Sequence, residues 1–197
     1  NNSPYARKIR ILIDEKKVPV TLEKVVLADK NCTIHEYNPL AKVPILVIND
    51  ISIFDSPVIA EYVDYKSGPL YLIPSDFDKK ILVKRWEALA DGLCDASVAI
   101  MLEKRRPISQ QNTDVFEKQM RKIKLSLQRL NEEIEDKEYY LENTFSYADI
   151  AVGCALGYVK LRYPEIDFKS EYLNLYHLHE VLMKRQSFQA TAPEPYL

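Results

Sequence analysis

Residues 38–57 read NPLAKVPILVINDISIFDSP, two short apolar runs followed by a helix start. Val43 to Val47 and Ile51 to Phe54 are rich in β-branched residues, and Asn49-Asp50 between them tolerate the left-handed conformation of a tight turn, so the stretch predicts a hairpin. Asp55-Ser56-Pro57 then sets capping side chains before a proline that suits the first turn of a helix. Val58, Ile59, Tyr62 and Val63 are the expected buried face of that helix, and Gly68-Pro69 its stop.

Upstream, Ser3-Pro4 gives the same start signal, and Ala6, Ile9, Leu12 and Ile13 recur at helical steps towards Lys16-Lys17. Val18 to Leu27 is rich in valine and reads as a strand; Lys30 to Tyr37 reads as a loop with a helical turn. Downstream of Gly68 no stretch alternates like a strand. Asp78 to about Arg106 reads as one long helix that tolerates Gly92 and is ended by Pro107. Phe116, Met120, Ile123, Leu127, Leu130 and Ile134 form a clean apolar stripe. Tyr147 to Leu161 is apolar nearly all round and is expected at the centre of a bundle, entered through a Ser146/Asp149 capping box. Within it Gly153 and Gly157 would let a neighbouring helix approach closely. A last helix from about Ser170 to Lys184 and an irregular, proline-bearing tail complete the reading. The expected organisation is a mixed α/β domain over residues 1–69, a linker over 70–77 and an all-α domain over 78–197.

Composition narrows the function. The chain has 197 residues, 47% hydrophobic and 28% charged, and four glycines where about 14 would be usual, so neither a dinucleotide fingerprint nor a phosphate-binding P-loop can be written. A net charge of -2 argues against nucleic acid as a partner and gives no attraction to an anionic membrane. The longest apolar run, Ile150 to Val159, is half of the roughly 20 residues that a spanning helix needs. Cys32, Cys94 and Cys154 are odd in number and widely spaced, which points to a reducing, cytoplasmic setting, and His35, His177 and His179 have no metal-ligand spacing, so no metal is expected. The first residue is Asn1 and the sequence opens directly on a helix start, so residues are expected to have preceded it.

The order and spacing of five motifs resemble the glutathione S-transferase family. SPYARKIR (3–10) is similar to that family's first helix start, NPLAKVPIL (38–46) to its loop into a cis-proline strand, and FDSPVIAEYV (54–63) to its acidic-Ser helix start. RWEALADGLCDA (85–96) and SYADIAVGCALGY (146–158) resemble helices of the second domain in bacterial members. The resemblance covers essentially the whole chain and implies a thioredoxin-like first domain, with its first strand largely ahead of Asn1, followed by an all-helical domain.

It also implies a glutathione site. Ser3 would face the thiol, its hydroxyl and the helix N-terminus stabilising a thiolate, with Asn2 as the competing position. Pro44 would be cis, turning the backbone N–H and C=O of Val43 towards the cysteinyl part of glutathione, and Lys42 would reach the glycyl carboxylate. Ser56 and its N–H would receive the γ-glutamyl carboxylate and Asp55 the γ-glutamyl ammonium. Ala41 stands where the family commonly has glycine. Trp86 and Tyr158 are candidates to border an apolar co-substrate pocket, core packing being the alternative; the three cysteines read as small buried hydrophobes. The expected protein is a glutathione transferase, with glutathione as co-substrate, a small apolar electrophile and a homodimeric assembly. Two rivals stay open: a non-enzymatic adaptor of the same fold, of the kind that associates with RNA polymerase, and a glutathione-dependent isomerase or reductase.

Overall fold

The structure is a computed structural model that describes residues 3–193. Helix α1 (Pro4–Glu15) begins at an N-cap serine, whose Ser3 Oγ accepts from the Ala6 N–H at 3.2 Å. A short helix α2 (Ile34–Tyr37) follows, then β1 (Leu46–Ile48) and β2 (Ile51–Ile53), paired antiparallel with Leu46 opposite Ile53 and Ile48 opposite Ile51. Asn49 and Asp50 both have positive φ, 47° and 67°, the signature of the tight hairpin turn their side chains tolerate. The expected strand over 18–27 is not formed. Its valines supply β propensity, but among the described residues β1 and β2 pair only with each other, and Val20 to Leu27 lie exposed with no ladder partner.

Helix α3 (Ser56–Lys66) buries Ser56, Ile59, Ala60, Val63 and Asp64, a stripe at steps of three and four. Val58, expected on that face, is 53% exposed: the true face runs through two polar residues, each given a buried role by its position. Asp64 accepts from the N–H groups of Leu72 and Ile73, both at 2.9 Å, and pairs with Lys16 at 3.0 Å, which fastens the segment after α3 back onto α1 and α3.

The rest is helical. Helix α4 (Phe77–Lys104) is one continuous element, capped by Asp76, and Gly92 faces open space. Helix α5 (Thr113–Ile134) buries Ile123, Leu127, Leu130 and Ile134 from the predicted stripe. Helix α6 (Tyr147–Arg162) starts at the predicted capping box, Ser146 N donating to Asp149 Oδ2 at 2.8 Å, and is buried from Tyr147 to Val159. A Cβ on Gly153 would lie 2.6 Å from Leu182 and from Phe188, and one on Gly157 would lie 2.4 Å from the Arg7 guanidinium, so both glycines hold neighbours at backbone distance.

The expected single helix over 170–184 is broken into α7 (Phe168–Glu171) and α8 (Leu173–Leu182) at Tyr172, which leaves helical geometry at φ −140°, ψ 60°. The tail is not irregular throughout either: α9 (Gln186–Ala190) forms because Glu15 accepts from Arg185 and Ser187 while Phe188 is buried against α6. Helix α1 therefore lies between the hairpin side, through α3, and the helical side, through α6 and α9. Among the described residues no helix is long and apolar enough to cross a membrane.

Candidate functional site

The loop 38–44 is built by Asn38, which sequence reasoning had not singled out. Its buried side chain accepts from the Leu40 N–H at 3.0 Å and donates from Nδ2 to the Lys42 carbonyl at 2.9 Å, while its own carbonyl accepts from the Ala41 N–H at 2.8 Å. An Asn before a proline is a turn-forming signal that could have been read from the sequence. The loop passes through Ala41 at φ 50° and delivers a cis Val43-Pro44 bond at the entrance to β1. Val43 and Pro44 are half-buried, and Lys42 is exposed.

The hairpin brings two of the expected groups together. Carrying the β1–β2 register two residues beyond Leu46 and Ile53 sets Pro44 across from Asp55, so the cis bond and the N-terminus of α3 share one end of the hairpin. There Asp55 is exposed and caps the helix, with Oδ1 accepting from the Ser56 N–H at 2.6 Å. That N–H, expected to be open to a ligand, is thus held by Asp55. The Ser56 hydroxyl is fully buried and has no hydrogen-bond partner among the described residues, an unmet donor at a helix N-terminus.

Ser3 stands at the other helix N-terminus, half-buried. Because its Oγ is the acceptor for the Ala6 N–H, its O–H proton is free to be donated outward. Asn2 lies outside the described residues. Helix α1 is fixed against α4 by two contacts that the sequence did not disclose. Tyr5 OH donates to Asp95 Oδ1, and one turn further on Lys8, 1% exposed, pairs with Glu87 at 3.0 Å and Asp91 at 2.6 Å. Burial opposes charge on both sides of this cluster. For Lys8 the two carboxylates outweigh burial and hold its pKa above the usual range; for Asp91 burial, helped by the neighbouring charge of Glu87, outweighs Lys8 and pushes it up to about 6. The hydroxyl of Tyr147, fully buried and without a partner among the described residues, is raised well above the phenolic range by burial and by the charges of Glu87, Asp91 and Asp55, which ties the α3 start to the same region as Lys8.

The remaining candidates are structural. Trp86 is buried, its ring 4.9 Å from Tyr140 and its indole N–H donating to Glu133 at 2.6 Å; Tyr158 is buried within α6. Burial raises the thiol of Cys94 and pushes that of Cys154 up to about 11, so neither is an ionised nucleophile. Among the described residues no three His, Cys, Asp or Glu side chains gather as a metal site. A groove of about 590 Å³ between α4 and α5, lined by Ile100, Phe116, Met120 and Tyr163, opens roughly 140° round α4 from Asp95 and so faces away from α1.

Comparison with known proteins agrees with this architecture. The sequence models of the glutathione S-transferase N-terminal and C-terminal domains match residues 2–66 and 113–179. The uncharacterized GST-like protein YibF of Escherichia coli K12 is 34% identical over 97% of this chain and 95% of its own length. A solved glutathione S-transferase of Methylobacillus flagellatus, with glutathione bound, is 47% identical, covers 98% of this chain and 96% of its own, and superposes with a TM-score of 0.96. One from Methylobacterium radiotolerans, in complex with glutathione sulfonate, is 33% identical with a TM-score of 0.94, over 100% of this chain and 93% of its own.

Proposed function

Since the chain belongs to the glutathione S-transferase family, we propose that it binds glutathione in the corner formed by the cis-proline loop and the N-termini of α1 and α3, and ionises its thiol for attack on an electrophile. The observation that carries the reading is the shared hairpin end, where a cis Val43-Pro44 bond and the Asp55-Ser56 cap, with its unmet hydroxyl, converge. The Val43 N–H and C=O pair with the cysteinyl backbone of the ligand as one more rung of a strand. Lys42 takes the glycyl carboxylate, Ser56 donates its hydroxyl to the γ-glutamyl carboxylate, and Asp55 takes the ammonium.

Ser3 is the thiolate donor. Lowering a thiol pKa by two units from ~8.5 takes about 2.7 kcal/mol, and one hydrogen bond to a charged group (~1.5–3 kcal/mol) plus a helix-end interaction (~0.3–1 kcal/mol) is of that size. A serine at this position supports transfer over thiol–disulfide reduction, which needs a cysteine there. The chain divides into a glutathione-binding unit over 1–69, a linker over 70–77 and a helical unit over 78–197 against which a small apolar electrophile is held. We place the protein in the cytoplasm, as a symmetric dimer.

The test is calorimetric titration with glutathione, followed in parallel by thiolate absorbance. Wild type is expected to bind and ionise the thiol near neutral pH. Ser3→Ala is expected to keep binding within a few-fold while losing the thiolate signal and most of the turnover. Ionisation and turnover unchanged in Ser3→Ala would remove the serine from its role, and no binding by wild type would end the reading.

A further inference from the structure

Tyr5 is two residues past Ser3, and its side chain is the first polar link between α1 and α4. Side chains on a helix lean back towards its N-terminus, so the Tyr5 ring runs from the first turn of α1 towards the level of Ser3. At its tip the hydroxyl meets the carboxylate of Asp95, an exposed residue on α4 one turn beyond Asp91. A negative charge is thereby tied, through one side chain, to the first turn of the helix at whose end, on the reading above, a second negative charge must form. We propose that Tyr5 and Asp95 are a positioning pair for the thiolate: the carboxylate sets how readily the bound thiol ionises, and the Tyr5 hydroxyl holds and partly neutralises that carboxylate.

The inference rests on the glutathione reading but adds residues and a sign to it. The groups bearing on the pair are few. Asp91 and Cys94 on α4 act on the Tyr5 phenol with Asp95, Lys8 on α1 is occupied by Glu87 and Asp91, and Lys122 on α5 lines, with Asp95 and Ala96, a second groove between α4 and α5. Burial and the bond to Asp95 hold the phenol of Tyr5 well above its usual pKa, so it stays protonated as the donor.

Asp95→Asn and Tyr5→Phe, singly and together, are compared with wild type by thiolate absorbance of bound glutathione against pH, with calorimetry and thermal unfolding alongside. Asp95→Asn is expected to lower the pKa of the bound thiol by about 0.3 unit, the size of one charge ~10 Å away in a largely aqueous medium, while the Kd for glutathione stays within twofold. Tyr5→Phe is expected to raise it by a smaller amount, and to have no effect once Asp95 is Asn. The pair is overturned if wild type binds and ionises glutathione normally but both variants keep its pKa and lose only thermal stability, which is what a simple strut between helices would give. Because Asp95 is exposed, Asp95→Asn does not depend on the fold tolerating a core change. A wild type that binds no glutathione would instead overturn the family reading itself, and this inference with it.

Discussion

Ala41 carries the sharpest conflict between a side chain and its backbone in the site. At φ 50° it occupies the left-handed region, which costs an L-residue roughly 1–2 kcal/mol and glycine almost nothing. The extra chain entropy that glycine loses on folding takes back part of this, so Ala41→Gly is expected to stabilise the protein by about 0.5–1 kcal/mol, raising the unfolding midpoint by about 1–3 °C in differential scanning calorimetry. An unchanged or lower midpoint would mean that the Ala41 methyl contributes packing that outweighs the strain. The position was legible in the sequence only as an alanine where the resemblance puts glycine; the backbone angle that makes it matter was not. Ser3, Pro44, Asp55 and Ser56 could be chosen because a short motif surrounds each. Tyr5 and Asp95 could not, since a hydrogen bond between residues 90 apart leaves no local pattern.

At the scale of elements, local signals served wherever they were complete within one segment. The two Ser-Pro helix starts, the Asn-Asp turn and the capping box all state their own backbone geometry, and all formed. The strand over 18–27 did not, because a strand is completed by a neighbour that its own residues do not specify. The face of α3 was misread at Val58 for a related reason: Asp64 counts as a surface residue until its partners are known, and Ser56 reads as an exposed cap although its hydroxyl is buried. Packing between elements also creates a pH response. His179 on α8 is largely buried beside α6, its Nδ1 3.4 Å from Lys160 Nζ, and burial together with that charge lowers its pKa to about 4, against the favourable but exposed Glu180. Between about pH 6.5 and 4 the unfolded chain binds a proton that the folded chain refuses, so stability falls as pH falls, by up to about 3 kcal/mol. Urea unfolding at pH 7 and pH 4.5 is expected to show a smaller loss for His179→Gln than for wild type; equal losses would assign the acid sensitivity elsewhere.

At the scale of the whole molecule, the surface bears on assembly. Tyr65 and Phe77 are each 72% exposed, Leu70 67% and Ile81 49%, an apolar run from the end of α3 to the start of α4. A second copy is the occupant that the proposed symmetric dimer supplies, burying part of the first unit against α4. Sedimentation at micromolar concentration is expected to give twice the 22.9 kDa chain mass, reduced to the single mass by Phe77→Asp; a wild-type monomer would contradict the assembly.

Helix α1 is also joined to the far end of the chain. Arg7 donates to the Phe188 carbonyl at 3.2 Å, and Glu15 receives Arg185 and Ser187. Separations of 170 residues or more are closed by these bonds, and their second partners leave the ribosome long after α1 does. A nascent chain can form the hairpin and α3 early, but the helix carrying Ser3 cannot bury Arg7 or satisfy Glu15 until α9 has emerged. The order of synthesis therefore leaves the proposed thiol site incomplete until α9 has been made.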